Sequence, residues 1–134
     1  CEEVKDALES SAAEKNVEIR VSGTGFMIQG VRRLLYEILY NLCENAIKYN
    51  VPGGSVHISA KNRKLTVSDT GIGIPAEHQT RVFERFFRVD KSHSKQSGGT
   101  GLGLSIVKHA AAYHNAALAL ESVPGKGTTI TVTF

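Results

Sequence analysis

The chain has 134 residues, 41% of them hydrophobic and 22% charged. That is the length of one domain with enough apolar side chains for a core, which excludes a disordered tail and a disulfide miniprotein. The 16 Lys and Arg exceed the 13 Asp and Glu by a net +3 with no basic block, so the charge gives no sign of nucleic-acid binding.

Periodicity predicts a helix over residues 2–15, with Val4, Leu8 and Ala12 on one face. Val17 to Val21 alternates as a strand and Ser22-Gly23-Thr24-Gly25 turns. The clearest helix is expected over residues 31–50, where Leu35, Ile38, Leu39, Leu42 and Ala46 share a stripe. Val51-Pro52-Gly53-Gly54 ends it. Val56, Ile58 and Ala60 alternate before a turn at Lys61-Asn62-Arg63, and Leu65 and Val67 alternate after it, which makes a hairpin. Asp69 to Pro75 is a glycine-rich loop followed by a short helix and by Phe83, Phe86 and Phe87. Residues 88–99 hold no apolar residue but Val89 and read as a mobile loop. A helix is expected from near Gly101 to His114, then strands over 117–122 and 128–134 about a turn at Pro124-Gly125-Lys126-Gly127. Helices alternating with hairpin strands predict an α+β fold. It is a two-layer sandwich, with a mostly antiparallel mixed sheet of about five strands and three main helices on one face.

The apolar runs are too short to span a membrane, and the polar start Cys1-Glu2-Glu3 is unlike a signal peptide. Cys1 and Cys43 do not make a disulfide framework, so reduced thiols in a cytosolic setting are expected.

Four segments are polar or glycine-rich where an ordinary domain would be apolar. Asn41, Asn45 and Lys48 are spaced i, i+4, i+7 along one stripe, about 100° around the helix from the apolar one. Two amides and an ammonium there suit a hard cation and phosphate oxygens, or they form a solvated polar edge. Asp69-Thr70-Gly71-Ile72-Gly73 sits at a strand end, where a carboxylate can accept from an exocyclic amine and glycines admit a flat ring. It also reads as a hairpin exit turn. Gly98 to Leu104 opens a helix whose unpaired N–H groups could cradle phosphate, or it is a flexible linker. It is neither a dinucleotide fingerprint nor a Walker A loop. Val82 to Arg88 is either core or the anchor of a lid, with Arg88 meeting phosphate.

Taken in order, these segments resemble the motifs of the catalytic, ATP-binding domain of bacterial sensor histidine kinases, within the gyrase, chaperone, histidine kinase and mismatch-repair ATPase superfamily. Asn41 to Tyr49 is similar to the N box, Asp69 to Pro75 to the first glycine box, Val82 to Asp90 to the F box, and Gly99 to Leu104 to the second glycine box. Pro124 to Thr129 resembles the C-terminal Gly-x-Gly-Thr turn. The resemblance implies that Asn45 ligates Mg2+ on the ATP phosphates with Asn41 assisting, Lys48 contacts a phosphate, and Tyr49 lines the adenine. Asp69 would accept from the adenine amine, Gly71 and Gly73 would shape the base pocket, and Ile74 would wall it. The backbone at Gly101, Leu102 and Gly103, flanked by Thr100 and Leu104, would hold phosphates under a flexible ATP lid. Arg88 would reach the γ-phosphate, with Arg85 and Lys91 as weaker candidates.

Two departures refine what the resemblance implies. The superfamily's ATPases carry a water-activating glutamate four residues before the metal-binding Asn, and here that position is Asn41. This favours phosphoryl transfer over hydrolysis, and it argues against the anti-sigma serine kinases. The five histidines are followed by Ile58, Gln79, Ser94, Ala110 and Asn115, so none is the expected phosphoacceptor before an acidic residue. The expectation is therefore an excised catalytic domain over residues 1–134, itself a monomer. Its substrate histidine lies on a dimerisation hairpin elsewhere in a parent protein that signals to a response regulator. By the resemblance the domain is cytoplasmic and the parent membrane-anchored. The alternatives are a nucleotide-binding module without catalysis and an ATP hydrolase of the same fold.

Overall fold

In the structure, a computed structural model that describes residues 1–84 and 103–134, helix α1 (Glu2–Glu14) turns Val4, Leu8 and Ala12 inward. Strand β1 (Glu18–Ser22) follows at once. Helix α2 (Arg32–Lys48) leads to the hairpin of β2 (Ser55–Lys61) and β3 (Lys64–Asp69). A single 3-10 turn occupies Ala76–His78, and then come α3 (Gly103–Tyr113), β4 (Ala117–Val123) and β5 (Gly127–Thr133). The candidates Arg85, Arg88, Lys91, Thr100, Gly101 and Leu102, and the expected lid, lie outside the described residues.

Local chemistry explains the boundaries. α1 and α3 end alike: Asn16 and Asn115 take the left-handed conformation (φ 57° and 54°) that Asn tolerates. The N–H of the next residue then returns to the helix, Val17 to Ala12 and Ala116 to Ala111, at 2.8 and 2.9 Å. α2 stops at Lys48, short of the expected residue 50, and the Lys15 ammonium donates to the Lys48 carbonyl at that end. Asn62 and Arg63, both at positive φ (52° and 62°), make the two-residue turn of the β2–β3 hairpin.

The sheet order is β1-β2-β3-β5-β4. β1 pairs parallel with β2 and every other pairing is antiparallel, as a mostly antiparallel mixed sheet requires. α2 lies on β2 and β3 between α1 and α3. Ile38, Leu42, Cys43 and Ala46 meet Val56, Ile58, Val67 and Val132 in the core, while Leu35 is half-buried at its margin. Burial pushes the Cys43 thiol up to about 12, so it behaves as a small apolar side chain and not a nucleophile. His114 is structural: its Nε2 accepts the Val31 N–H (3.1 Å) and its Nδ1 bonds the Ala110 carbonyl (2.7 Å), which staples the start of α2 to the end of α3. No helix among the described residues is long and apolar enough to cross a membrane.

Ile58 is fully buried in β2. Ile58→Ala is expected to destabilise the chain by about 2–5 kcal/mol through lost burial and an unfilled cavity. Urea unfolding checks this, as a lower midpoint at unchanged slope.

Candidate functional site

α2 carries one wall of the site. Asn41, Asn45 and Lys48 are half-buried along its flank, beside the buried Leu42 and Ala46. Asn41 Nδ2 donates to the Glu37 carbonyl one turn back (2.7 Å), which fixes the amide and leaves Oδ1 to face α3. Gly103, the first residue of α3, sits against both amides: a Cβ there would stand 3.4 Å from Asn41 Oδ1 and 3.6 Å from Asn45 Nδ2. The amides thus meet the positive, N–H-bearing end of α3. Leu104 packs its side chain against the core. Lys48 Nζ stands 5.6 Å from the ring centroid of Tyr49, which is 44% exposed. Glu44 lies one turn from Tyr40, whose hydroxyl pKa is raised by burial first and then by that carboxylate.

The loop after β3 carries the other wall. Asp69 Oδ1 accepts the N–H groups of Gly71 (2.9 Å) and Thr128 (3.2 Å). Among the described residues both donors reach this one oxygen, which leaves Oδ2 for a ligand. Burial raises the Asp69 pKa, and the two N–H groups pull it part of the way back. Gly71 is buried where a Cβ would lie 2.4 Å from the Tyr49 carbonyl, and that carbonyl accepts the Ile72 N–H (3.0 Å). The adenine-loop candidates therefore rest on the end of α2. Gly73 lies against the Val123 carbonyl, and the half-buried Ile74 donates its N–H to Ser122 Oγ (2.7 Å).

The Gly-x-Gly-Thr turn completes this wall. Gly127 has φ 132°, and a Cβ there would lie 2.0 Å from the Asp69 carbonyl. Gly127→Ala is expected to lower the melting temperature and, by displacing Asp69 and Thr128, to weaken nucleotide binding. Thermal melts with and without nucleotide check both effects.

The described candidates therefore gather on two walls, Asn41, Asn45, Lys48 and Gly103 on one and Asp69, Gly71, Gly73 and Ile74 on the other, with Tyr49 at the join. Sequence reasoning missed Asn50, which is 4% exposed, and the hydroxyl of Thr70 that bonds it. The only sequence signal there was an Asn ahead of a Pro-Gly-Gly exit. An open groove of about 520 Å³ is lined by Glu18, Arg20, Pro52 and Thr70, among others, and by neither Asn45 nor Asp69. Among the described residues no cluster of three or more His, Cys, Asp or Glu could hold a metal. A cation at Asn41 and Asn45 would rest on amide and ligand oxygens, a donor set that fits Mg2+.

The family described as histidine kinase-, DNA gyrase B-, and HSP90-like ATPase matches residues 30–134. The sensor-like histidine kinase SenX3 of Mycolicibacterium smegmatis is 50% identical over 115 residues, covering 83% of this chain and 30% of that protein. The chain thus spans under a third of the length of the curated relatives it matches. The structure of the mycobacterial sensor histidine kinase MprB aligns with a TM-score of 0.78 at 30% identity, covering 96% of this chain and 89% of that one. Full-length ShkA, solved in complex with AMPPNP, aligns with a TM-score of 0.79 at 27% identity, covering 98% of this chain and 28% of that one.

Proposed function

This chain belongs to the histidine kinase-, DNA gyrase B- and HSP90-like ATPase family as an ATP-binding catalytic domain of the sensor histidine kinase kind, and we propose that it phosphorylates a histidine on its parent's dimerisation hairpin. The observation that carries this reading is the convergence of the Asn41 and Asn45 amides on Gly103, together with an Asp69 whose Oδ1 is held by two N–H groups and whose loop packs Gly71 on the Tyr49 carbonyl at the end of the same helix. ShkA, with an ATP analogue bound, lends support from a related fold.

In this proposal Asp69 Oδ2 accepts from the adenine amine, Gly71 and Gly73 bring backbone close to the base, and Ile74 and Tyr49 flank it. Asn45 Oδ1 holds Mg2+, with Asn41 at the metal or its waters. The ion supplies positive charge to the phosphate oxygens as charge develops there. Lys48 contacts a phosphate. The N–H groups at Gly101, Leu102 and Gly103, flanked by Thr100 and Leu104, hold the phosphates, and Arg88 reaches the γ-phosphate. An acceptor imidazole nitrogen attacks the γ-phosphorus, the bond to the bridging oxygen breaks, and ADP leaves with that electron pair. Asn41 cannot take a proton from water, so no residue at that position activates hydrolysis. The parent's partners, on this reading, are the hairpin and a response regulator, and the parent is membrane-anchored.

Incubation with ATP, Mg2+ and a separately supplied dimerisation hairpin tests the proposal. Phosphohistidine on the hairpin is expected. Free phosphate alone would make the chain a hydrolase, and binding without turnover would make it a nucleotide-binding module.

A further inference from the structure

We propose that Asn50 and Thr70 form a clasp that fixes the adenine loop to the end of α2, and that both are positioning residues for base discrimination. The inference rests on the reading of Asp69 as the adenine acceptor. Asn50 lies just past α2 and is buried, and both ends of its amide are engaged. Oδ1 accepts the Val51 N–H (2.8 Å) and the Thr70 hydroxyl (3.1 Å), and Nδ2 donates to the Ser55 carbonyl (3.0 Å). Thr70 Oγ1 in turn accepts the Ser55 N–H (2.9 Å). One hydroxyl thus joins the exit of α2 to the start of β2.

The clasp stands one residue from each functional group it serves. Thr70 lies between Asp69 and Gly71, and the Gly71 N–H is one of the two donors that orient the Asp69 carboxylate. Asn50 follows Tyr49, whose carbonyl takes the Ile72 N–H (3.0 Å). The loop is therefore tied to α2 twice, once by side chains and once by backbone. Gly54 closes the third side: a Cβ there would lie 2.2 Å from Asn50 Oδ1 and 2.6 Å from Thr70 Oγ1. With phosphates anchored on α2 and the base read from this loop, the clasp sets the span between the two readings.

The test compares Mg2+·ATP and Mg2+·GTP affinities, by displacement of a fluorescent nucleotide, for the unmodified chain, Thr70→Val and Thr70→Ser. Thr70 is exposed, so Thr70→Val removes the clasp without touching the core. The preference for ATP over GTP is expected to fall at least fivefold in Thr70→Val, with GTP affinity within twofold, and to be kept in Thr70→Ser. Should Thr70→Val not fold, Gly54→Ala, whose methyl would press on both clasp oxygens, is expected to lose the same preference. A folded Thr70→Val or Gly54→Ala chain that keeps the full preference overturns the clasp and leaves Asp69 as the base reader. An unmodified chain that binds both nucleotides equally overturns the Asp69 reading and the clasp with it.

Discussion

Asp69→Asn is expected to weaken ATP binding at least tenfold while leaving the nucleotide-free chain no less stable. An asparagine with its carbonyl oxygen in the place of Oδ1 still accepts the N–H groups of Gly71 and Thr128. Its NH2 then takes the place of Oδ2 and turns a donor toward the adenine amine, itself a donor. A charge-assisted hydrogen bond of this kind contributes about 1.5–3 kcal/mol, which is about tenfold or more in affinity. Stability moves the other way. Burial raises the Asp69 pKa above the ordinary 3.8, so the folded chain holds this proton more tightly than the unfolded one. The resulting stability is fully present in acid and is lost as pH rises from 3.8 through the raised folded value. The variant has no such loss. ATP affinity in the unmodified chain should instead fall as pH drops through that raised value, a dependence that Asp69→Asn lacks. Calorimetric titration and thermal melts across pH measure both. ATP affinity within threefold of the unmodified chain would remove Asp69 from base recognition.

The elements were legible wherever one face of one element decides its place. Val4, Leu8 and Ala12 recur at helical spacing and are all buried on α1. Val56, Ile58, Leu65 and Val67 alternate and face the helices, so the hairpin and its turn followed from pattern and composition. The parallel pairing of β1 with β2 was not legible, because a strand's alternation carries no direction and the long α2 connection permits either. Leu35 fits the apolar stripe of α2 yet stays half-buried, since it stands in the first turn near Gly30, at the edge of the layer. Asp69, Asn41 and Asn45 could be found because polar residues beside a core need a reason. The donors that orient them could not. Thr128 lies 59 residues from Asp69, and Thr70 lies 20 from Asn50, and both pairs exist only once the sheet has formed.

Asn45→Ala is expected to reduce Mg2+-dependent ATP binding and transfer to the hairpin at least 100-fold, with the fold intact. Asn45 is half-buried in mid-α2 and its amide makes no hydrogen bond among the described residues, so truncation strands no partner there. Alanine is also the better helix former by several tenths of a kcal/mol, up to about 0.7. The circular dichroism spectrum should therefore be unchanged and the melting temperature no lower. Asn41 differs, since its amide also donates to the Glu37 carbonyl (2.7 Å) and its loss would disturb the helix as well as the site. Asn45 is thus the cleaner probe of the metal. Its removal takes away the amide oxygen assigned to the metal, and a 100-fold loss corresponds to about 2.7 kcal/mol. Binding of ADP in the presence of a chelator does not call on that oxygen and should change less than threefold. The measurement is nucleotide titration with and without Mg2+, beside phosphotransfer to the hairpin. A folded Asn45→Ala chain that binds ATP and transfers normally with Mg2+ would place the metal elsewhere, and an equal loss with and without Mg2+ would make Asn45 a nucleotide contact and not a metal ligand.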